Sequence, residues 1–386
     1  MANLNTKIIL KNHPVRKVLI DDFQIINCPI EEPGDREVLI KTDWLSIDPY
    51  VKGRISQTKS YANNVKIGEV ITGESICTVV KSNSSRFKTG DSVIAMTGWQ
   101  THAVLPETKL HTLPDCALPK SLFLGIAGMP GITAWIGVKK ICLPKPGELF
   151  VINAATGAVG SAAGQLAKKM GCRVVGIAST QEKCKYAVNQ LGFDQCISHQ
   201  DPNLINKLLQ LTTTGIDCYF DNVGGNLFDL ILPQMSIHGR VVICGLIGEE
   251  DFQLAHPIQL RQILNKRIKI QAFIAYDYLD EWKLIQNELI SLIKNEELVT
   301  LICNPNHHFC YTCIFDWYNI IKHNSGTSLF GNNDNKQCTY RRNNCLCLAN
   351  TCNYFTSNLK LILGDLHTSE YITDSELYIY DYNCKI

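Results

Sequence analysis

Ala154, Gly157 and Gly160 recur at three-residue intervals in Val151-Ile-Asn-Ala-Ala-Thr-Gly-Ala-Val-Gly-Ser161. Small residues at this spacing let a backbone approach a pyrophosphate closely. A helix opening inside the segment would offer unpaired N–H groups and a favourable dipole to that anion. Glycine-rich turns also serve plain packing, so the surrounding elements must decide. An apolar run, Leu149 to Ile152, leads into the loop. Helical small-residue spacing, Ala162 to Ala167, leads out of it, and a second apolar run, Cys172 to Ala178, follows Gly171. Strand, turn, helix and strand form the βαβ setting that a dinucleotide site requires.

The end of the second strand bears on which dinucleotide. A site for NADH usually places Asp or Glu there, on the ribose 2′-hydroxyl. This chain has Ala178-Ser179-Thr180, with Lys183 just beyond. A small hydroxyl-bearing pocket with a cation suits a 2′-phosphate, so NADPH is the expected cofactor. On spacing alone, Lys183 reads equally as an ordinary lysine opening a helix.

Composition sets the outer bounds. The chain has 386 residues, enough for two domains, with 45% hydrophobic and 19% charged residues. A formal net charge of +1 argues against bulk binding of nucleic acid or anionic membrane. No apolar run is long enough to span a bilayer. The N-terminus has no secretory apolar core, so a cytoplasmic location is expected. The 17 cysteines are then expected to stay reduced.

The fold class expected is α/β. Residues 1–120 read as mostly β, with strand signals at Glu37–Lys41, Gly68–Val80 (broken by Gly73) and Phe87–Ala95. Residues 121–280 alternate strand and helix, as a doubly wound parallel sheet should. Further strands are expected at Ile216–Asp221, Gly239–Gly245 and Ile268–Ala275, and helices at Leu204–Leu211 and Leu227–Met235. Residues 281–297 carry apolar residues at 282, 284, 285, 289, 290, 292 and 293, an amphipathic helix. Cys142, Cys172, Cys184, Cys196 and Cys218 sit in or beside apolar elements, where buried inert thiols are the default. Asp229 with Arg240 reads as a solvated surface pair.

Five ordered motifs carry a family resemblance. Leu45-Ser-Ile-Asp-Pro-Tyr-Val-Lys-Gly-Arg54 and Gly128-Met-Pro-Gly-Ile-Thr-Ala134 are two. Asn153–Gly160, Glu182-Lys183 with Leu191-Gly-Phe-Asp194, and Tyr219-Phe-Asp-Asn-Val-Gly-Gly225 continue the series. Over residues 6 to about 295 the chain resembles the zinc-independent medium-chain dehydrogenase/reductase superfamily. Within it, the closest likeness is to the prostaglandin reductase, leukotriene hydroxydehydrogenase and NADP-dependent alkenal reductase group. The resemblance implies a GroES-like β-rich catalytic domain packed on a Rossmann domain, with the active site in the cleft between them. It implies that residues 281–300 return to the catalytic domain, and that the protein is a homodimer.

The resemblance also implies roles. Gly157, Ala158, Val159 and Gly160 would hold the pyrophosphate, and Lys183 the 2′-phosphate. Asn222 would bond near the ribose, and Cys244 and Gly245 would line the cofactor cleft. Phe273, Ile274 and Ala275 would present backbone groups to the nicotinamide, with Met129 and Thr133 facing it. Two positions depart from the pattern: His199 and Glu250 stand where the family often has tyrosines. An acid at 250 pointing inward would weaken binding of a phosphate. No zinc ligands are expected, because Leu45–Tyr50 and Gly73-Glu74 lack the Cys and His of the zinc-using branch, and residues 90–120 lack a four-cysteine lobe. Without zinc to activate an alcohol, reduction of the C=C bond of an α,β-unsaturated ketone or aldehyde is the expected reaction. Tyr50 is the candidate donor to the developing enolate oxygen, since a phenol is protonated at neutral pH; packing a turn after Pro49 is its alternative role. Oxidation of a secondary allylic alcohol, quinone reduction, or NADPH binding without catalysis are the other readings.

Residues 301–386 change character. They hold eight cysteines (303, 310, 313, 338, 345, 347, 352 and 384), abundant asparagine and poor periodicity. Gly331–Gln337 faintly echoes the family's final cofactor element, which would make Asn333 a cofactor contact. Three readings stand open: aberrant translation, a largely disordered extension, or a zinc site around Cys303, His307, His308, Cys310 and Cys313.

Overall fold

The computed structural model describes residues 4–15, 18–58, 60–248, 259–300 and 378–381. Asn333, Glu250 and the candidate zinc cluster of the tail lie outside these residues. The chain divides into two compact units, the described residues up to Leu124 with 378–381, and residues 125–300.

The first unit is built on antiparallel strands. β1 (Leu4–Leu10) pairs with β2 (Phe23–Pro29) in a two-stranded sheet. β3 (Glu37–Ile47) leads into the short helix α1 (Tyr50–Arg54). β4 (Ser75–Ser82), β5 (Ser92–Ala95), β6 (His102–Pro106) and β7 (His111–Thr112) follow. The long β3 takes β4 on one side and β6 over residues 37–41, while Trp44–Ile47 pairs in parallel with a late strand, Tyr378–Asp381. One apolar cluster gathers Leu10, Phe23, Leu45, Ile47, Val51, Ile55 and Trp99, with Phe23 and Trp99 stacked at 6.2 Å. The strand expected over Gly68–Val80 is confined to β4. Before it, Ile71 bonds separately to Ile8 and Trp99. A Cβ at Gly73 would come 2.9 Å from both Leu45 and Trp99, so the chain there is pressed against the core rather than paired as an extended ladder.

The second unit opens on α2 (Met129–Ile136). Then come β8 (Leu149–Asn153), α3 (Ala158–Lys169), β9 (Arg173–Ala178), α4 (Gln181–Asn189), β10 (Gln195–Ser198), α5 (Leu204–Leu211) and β11 (Ile216–Asp221). α6 (Gly225–Ile231), β12 (Met235–Ile243), α7 (Leu260–Lys266), β13 (Lys269–Ala272) and α8 (Trp282–Lys294) complete it. The sheet order is β10-β9-β8-β11-β12-β13, every pairing parallel. Numbered within this unit, that is 3-2-1-4-5-6, the Rossmann order, with the direction of winding reversing between β8 and β11.

Burial explains the elements. All five residues of β8 are buried, as a strand covered on both faces demands. Gly164 lets α3 approach Phe193, whose ring a Cβ there would meet at 2.0 Å. α6 ends before the position expected, where Pro233 follows in a short 3-10 turn. α8 buries Ile285, Leu289, Ile290 and Ile293 and packs on α2 within this unit, where Gln286 donates to the Ala127 carbonyl at 2.8 Å. Arg240 does not form the surface pair expected with Asp229. Its Nη2 pairs instead with Glu148 and lies 3.0 Å from Cys218 Sγ, because β12 pairs it with Cys218 on β11, and its side chain reaches across to Glu148 just before β8.

Candidate dinucleotide site

The reversal of winding places the ends of β8 and β11 side by side, and Gly157–Gly160, Asn222, Cys244 and Gly245 collect there. After β8, Ala154 takes φ +45°, a left-handed conformation more usual for glycine. Gly157 bonds back to the Ala154 carbonyl at 2.8 Å, and Ser161 to the Gly157 carbonyl at 2.8 Å, so the loop closes directly into α3. Gly157 caps the helix with no side-chain hydrogen bond. The first N–H groups, those of Ala158, Val159 and Gly160, therefore face outward as helix geometry leaves them, an arrangement suited to an anion. A Cβ at Gly160 would sit 2.1 Å from the Ala154 carbonyl oxygen, and one at Gly157 3.1 Å from it. Gly160 is thus required by the turn itself. Gly157 has more room and keeps the approach to the loop open.

A buried polar knot underlies this turn. Asn153 and Asp221, each the last residue of its strand, are both fully buried. Asn153 Nδ2 donates to Tyr219 OH at 2.6 Å and to Asp221 Oδ1, while its Oδ1 accepts the Asn222 N–H at 2.6 Å. Asn222 Nδ2 returns to the Asn153 carbonyl at 3.0 Å. Asp221 Oδ1 also accepts the N–H groups of Val223 and Gly224, each at 3.0 Å, and the Tyr219 hydroxyl at 3.1 Å. Its backbone carbonyl takes the N–H groups of Cys244 and Gly245 at 2.8 and 3.2 Å, tying the end of β12 to that of β11. Asn222, Cys244 and Gly245 are therefore brought together. Burial raises the Asp221 carboxyl above its ordinary value despite these donors, and its Oδ2 has no partner among the described residues. Burial, and then the Asp221 charge, push the Cys244 thiol up to about 12. Asn153, Tyr219 and Asp221 received no role from the sequence. The signal was present: a polar residue closes each of two apolar strands at the point where winding reverses.

The outer part of the site lies at the ends of β9 and β10. Thr180 caps α4 by accepting the Lys183 N–H at 3.3 Å. Ser198 Oγ donates to the Ser179 carbonyl at 3.0 Å, and the His199 N–H to the Ala178 carbonyl at 2.9 Å. Ser179, Thr180, Lys183 and His199 thus share one end of the sheet. Lys183 is only 6% exposed, unlike an ordinary surface lysine. On the other side, Thr133 turns its hydroxyl to the Met129 carbonyl at 2.7 Å, one turn back in α2. Phe273 and Ala275 are buried just after β13, and a Cβ at Gly137 would meet Phe220 at 2.4 Å and Phe273 at 3.2 Å.

Tyr50 belongs to the first unit. It opens α1 after Pro49, half-buried against the cluster around Val51 and Trp99. On the segment whose Glu74 carbonyl accepts the Ser46 N–H at 2.8 Å, burial and then the Asp48 charge push the Glu74 carboxyl up to about 7. Among the described residues no cluster of three or more His, Cys, Asp or Glu is arranged to hold a metal ion. None of the described helices is long and apolar enough to cross a membrane.

Known proteins share this architecture. A family profile described as the N-terminal domain of oxidoreductase matches residues 6–113, and one described as zinc-binding dehydrogenase matches 158–294. The chain is 36% identical over 301 residues to an NADPH-dependent curcumin reductase of Escherichia coli (strain K12), covering 76% of this chain and 87% of that one. It is 36% identical to a 2-alkenal reductase (NADP(+)-dependent) of Nicotiana tabacum, covering 71% and 82%. Among solved structures, CurA from Vibrio vulnificus in complex with NADPH superposes with a TM-score of 0.72 at 38% identity, over 76% of this chain and 89% of that one.

Proposed function

Because the chain belongs to the zinc-independent medium-chain dehydrogenase/reductase family, we propose that it reduces the C=C bond of an α,β-unsaturated ketone or aldehyde with NADPH. The observation that carries this reading is the fit of the second unit to a 2′-phosphorylated dinucleotide. The uncapped start of α3 suits the pyrophosphate. No acid closes β9, and the buried Lys183 stands beside Ser179 and Thr180. Similarity to reductases whose names specify NADPH, curcumin and 2-alkenals supports both cofactor and substrate class.

When bound, NADPH supplies the hydride, which goes to the β-carbon of the substrate. The chain's residues do the rest. Gly157 to Gly160 hold the pyrophosphate through backbone N–H groups, and Lys183 pairs with the 2′-phosphate. Asn222, fixed from below by Asn153, bonds the ribose side. Cys244 and Gly245 line the cleft, and Met129, Thr133 and Phe273 to Ala275 contact the nicotinamide side. His199 packs toward the adenosine. Tyr50 donates a hydrogen bond to the substrate carbonyl, stabilising the enolate oxygen as charge develops there; the α-carbon then takes a proton from water.

Two variants test the assignment. Tyr50→Phe should lower kcat with an enone by about tenfold to a thousandfold, leaving the Kd for NADPH unchanged; unchanged turnover removes the donor role. Lys183→Ala should raise the KM for NADPH while sparing that for NADH, and an equal effect on both would rule out the 2′-phosphate contact.

A further inference from the structure

The end of β3 that leads to Tyr50 is completed from the other end of the sequence. β6 pairs with β3 over residues 37–41, and the Thr42 N–H extends that contact to the Thr101 carbonyl at 2.9 Å. Further along, the late strand Tyr378–Asp381 takes over, with Tyr378 opposite Trp44 and Asp381 opposite Ile47. It lies on the side of β3 away from β4. The Ser46 N–H goes to the Glu74 carbonyl at 2.8 Å, on the β4 side. N–H groups alternate along a strand, so those of Leu45 and Ile47 point the other way, toward the late strand. The pairing is parallel, unlike every other strand pairing of the first unit among the described residues. A parallel partner cannot arrive through a hairpin, so no local turn sets this one. Only Asp48 and Pro49 separate Ile47 from Tyr50. Pro49 has φ −56°, and the Val51 and Lys52 N–H groups close back on the Asp48 and Pro49 carbonyls at 3.1 and 3.2 Å. This tight turn passes the placement of the end of β3 directly to Tyr50, and Leu45, Ile47 and Val51 share one buried cluster across it.

We propose that the strand Tyr378–Asp381 is a positioning element for the reaction: by pairing with Trp44–Ile47 it fixes the end of β3 and so holds the Tyr50 hydroxyl against the substrate carbonyl. The inference rests on the reading of Tyr50 as the donor to that carbonyl. Without the late strand, β3 keeps its ladders with β4 and β6, so the sheet itself survives. What is lost is the restraint on the last residues before Tyr50, whose Leu45 and Ile47 N–H groups then lack that neighbour. A misplacement of about 1 Å at a reacting group can cost about a hundredfold in rate.

The test uses the full-length protein. Successive N–H groups of the late strand also point to opposite sides, so Ile379→Pro together with Tyr380→Pro removes one that faces β3, whichever residue carries it. This double variant should lower kcat with an enone by about tenfold to a hundredfold. The Kd for NADPH should not change, since the proposed cofactor contacts belong to the second unit. Ile379→Val with Tyr380→Phe keeps both N–H groups and should keep the wild-type kcat. In a Tyr50→Phe background the prolines should cost less than about twofold in kcat, because both changes then act on one contact; a strand that only stabilises the fold would cost the same in either background. Residue-resolved hydrogen exchange should find the Leu45 and Ile47 amides protected in the wild type and released in the proline variant. Unchanged kcat in the proline variant, an equal loss with and without the Tyr50 hydroxyl, or unprotected Leu45 and Ile47 amides in the wild type overturns the proposal, and the last of these needs no variant to fold. Turnover unaffected by Tyr50→Phe alone would instead overturn the donor reading, and this inference with it.

Discussion

Gly157 and Gly160 should fail differently when given a methyl group. At Gly160 the new Cβ would sit 2.1 Å from the Ala154 carbonyl oxygen and 2.9 Å from its carbon, where ordinary contact begins near 3.4 Å. The neighbour is backbone, held in place by the Gly157 bond to the same carbonyl at 2.8 Å. Either α3 or the turn must shift by about 1 Å. Overpacking of this kind costs about 1–3 kcal/mol, and a backbone obstacle puts Gly160→Ala at the upper end. The shift also misplaces the N–H groups proposed to meet the pyrophosphate, each such bond to a charged group being worth about 1.5–3 kcal/mol. Gly160→Ala should therefore lose about 3 kcal/mol in urea unfolding and at least about tenfold in NADPH affinity. At Gly157 the Cβ would lie 3.1 Å from the same oxygen, and φ is −72°, so alanine fits the fold with little strain. Gly157→Ala should lose less than about 1 kcal/mol of stability while still weakening NADPH binding, because the methyl group intrudes on the approach to the phosphate. A Gly160→Ala protein with wild-type stability and affinity would refute the packing argument. So would a Gly157→Ala protein that is the less stable of the two.

Two further perturbations probe the same structure. Asn153→Ala leaves the Asn222 N–H without its acceptor and takes one donor each from Asp221 and Tyr219 in a fully buried place; it should cost about 2–4 kcal/mol and raise the Kd for NADPH, measured by unfolding and fluorescence titration. Glu74 has its folded pKa raised to about 7 from an ordinary 4.5, so its contribution to stability is fully present below about 4.5 and is lost as pH rises through 7. Glu74→Gln should therefore be more stable than the wild type at pH 8, by up to about 3 kcal/mol, with the advantage vanishing near pH 4; equal stability at pH 8 would contradict the burial of that carboxylate.

The second unit was legible in outline because its signals are local. The apolar runs at Leu149–Ile152 and Cys218–Phe220 are strand residues buried on both faces, and Leu204 with Leu208 already marks the inner face of α5. The knot of Asn153, Tyr219 and Asp221 was harder to read, since its members are far apart in sequence and meet only when β8 and β11 become neighbours. Lys183 shows the same limit in another form: spacing left it between a phosphate partner and a surface lysine, and its burial, which speaks against the surface lysine, comes only with the fold. In the first unit, the stretch before β4 looked extended from composition, but its hydrogen bonds go to β1 and to Trp99, which sequence order does not reveal. Arg240 was misjudged for a related reason, its partner Glu148 being supplied by a neighbouring part of the sheet rather than by residues close in the chain.

The central claim is that hydride from NADPH saturates a C=C bond conjugated to a carbonyl. It is tested most directly by turning over a simple enone with NADPH deuterated at the transferable position and locating the label by NMR. The account predicts a saturated ketone with deuterium at the β-carbon, formed with NADPH in preference to NADH. An allylic alcohol with deuterium on the former carbonyl carbon, or no turnover of any enone or enal by protein that binds NADPH, would contradict it.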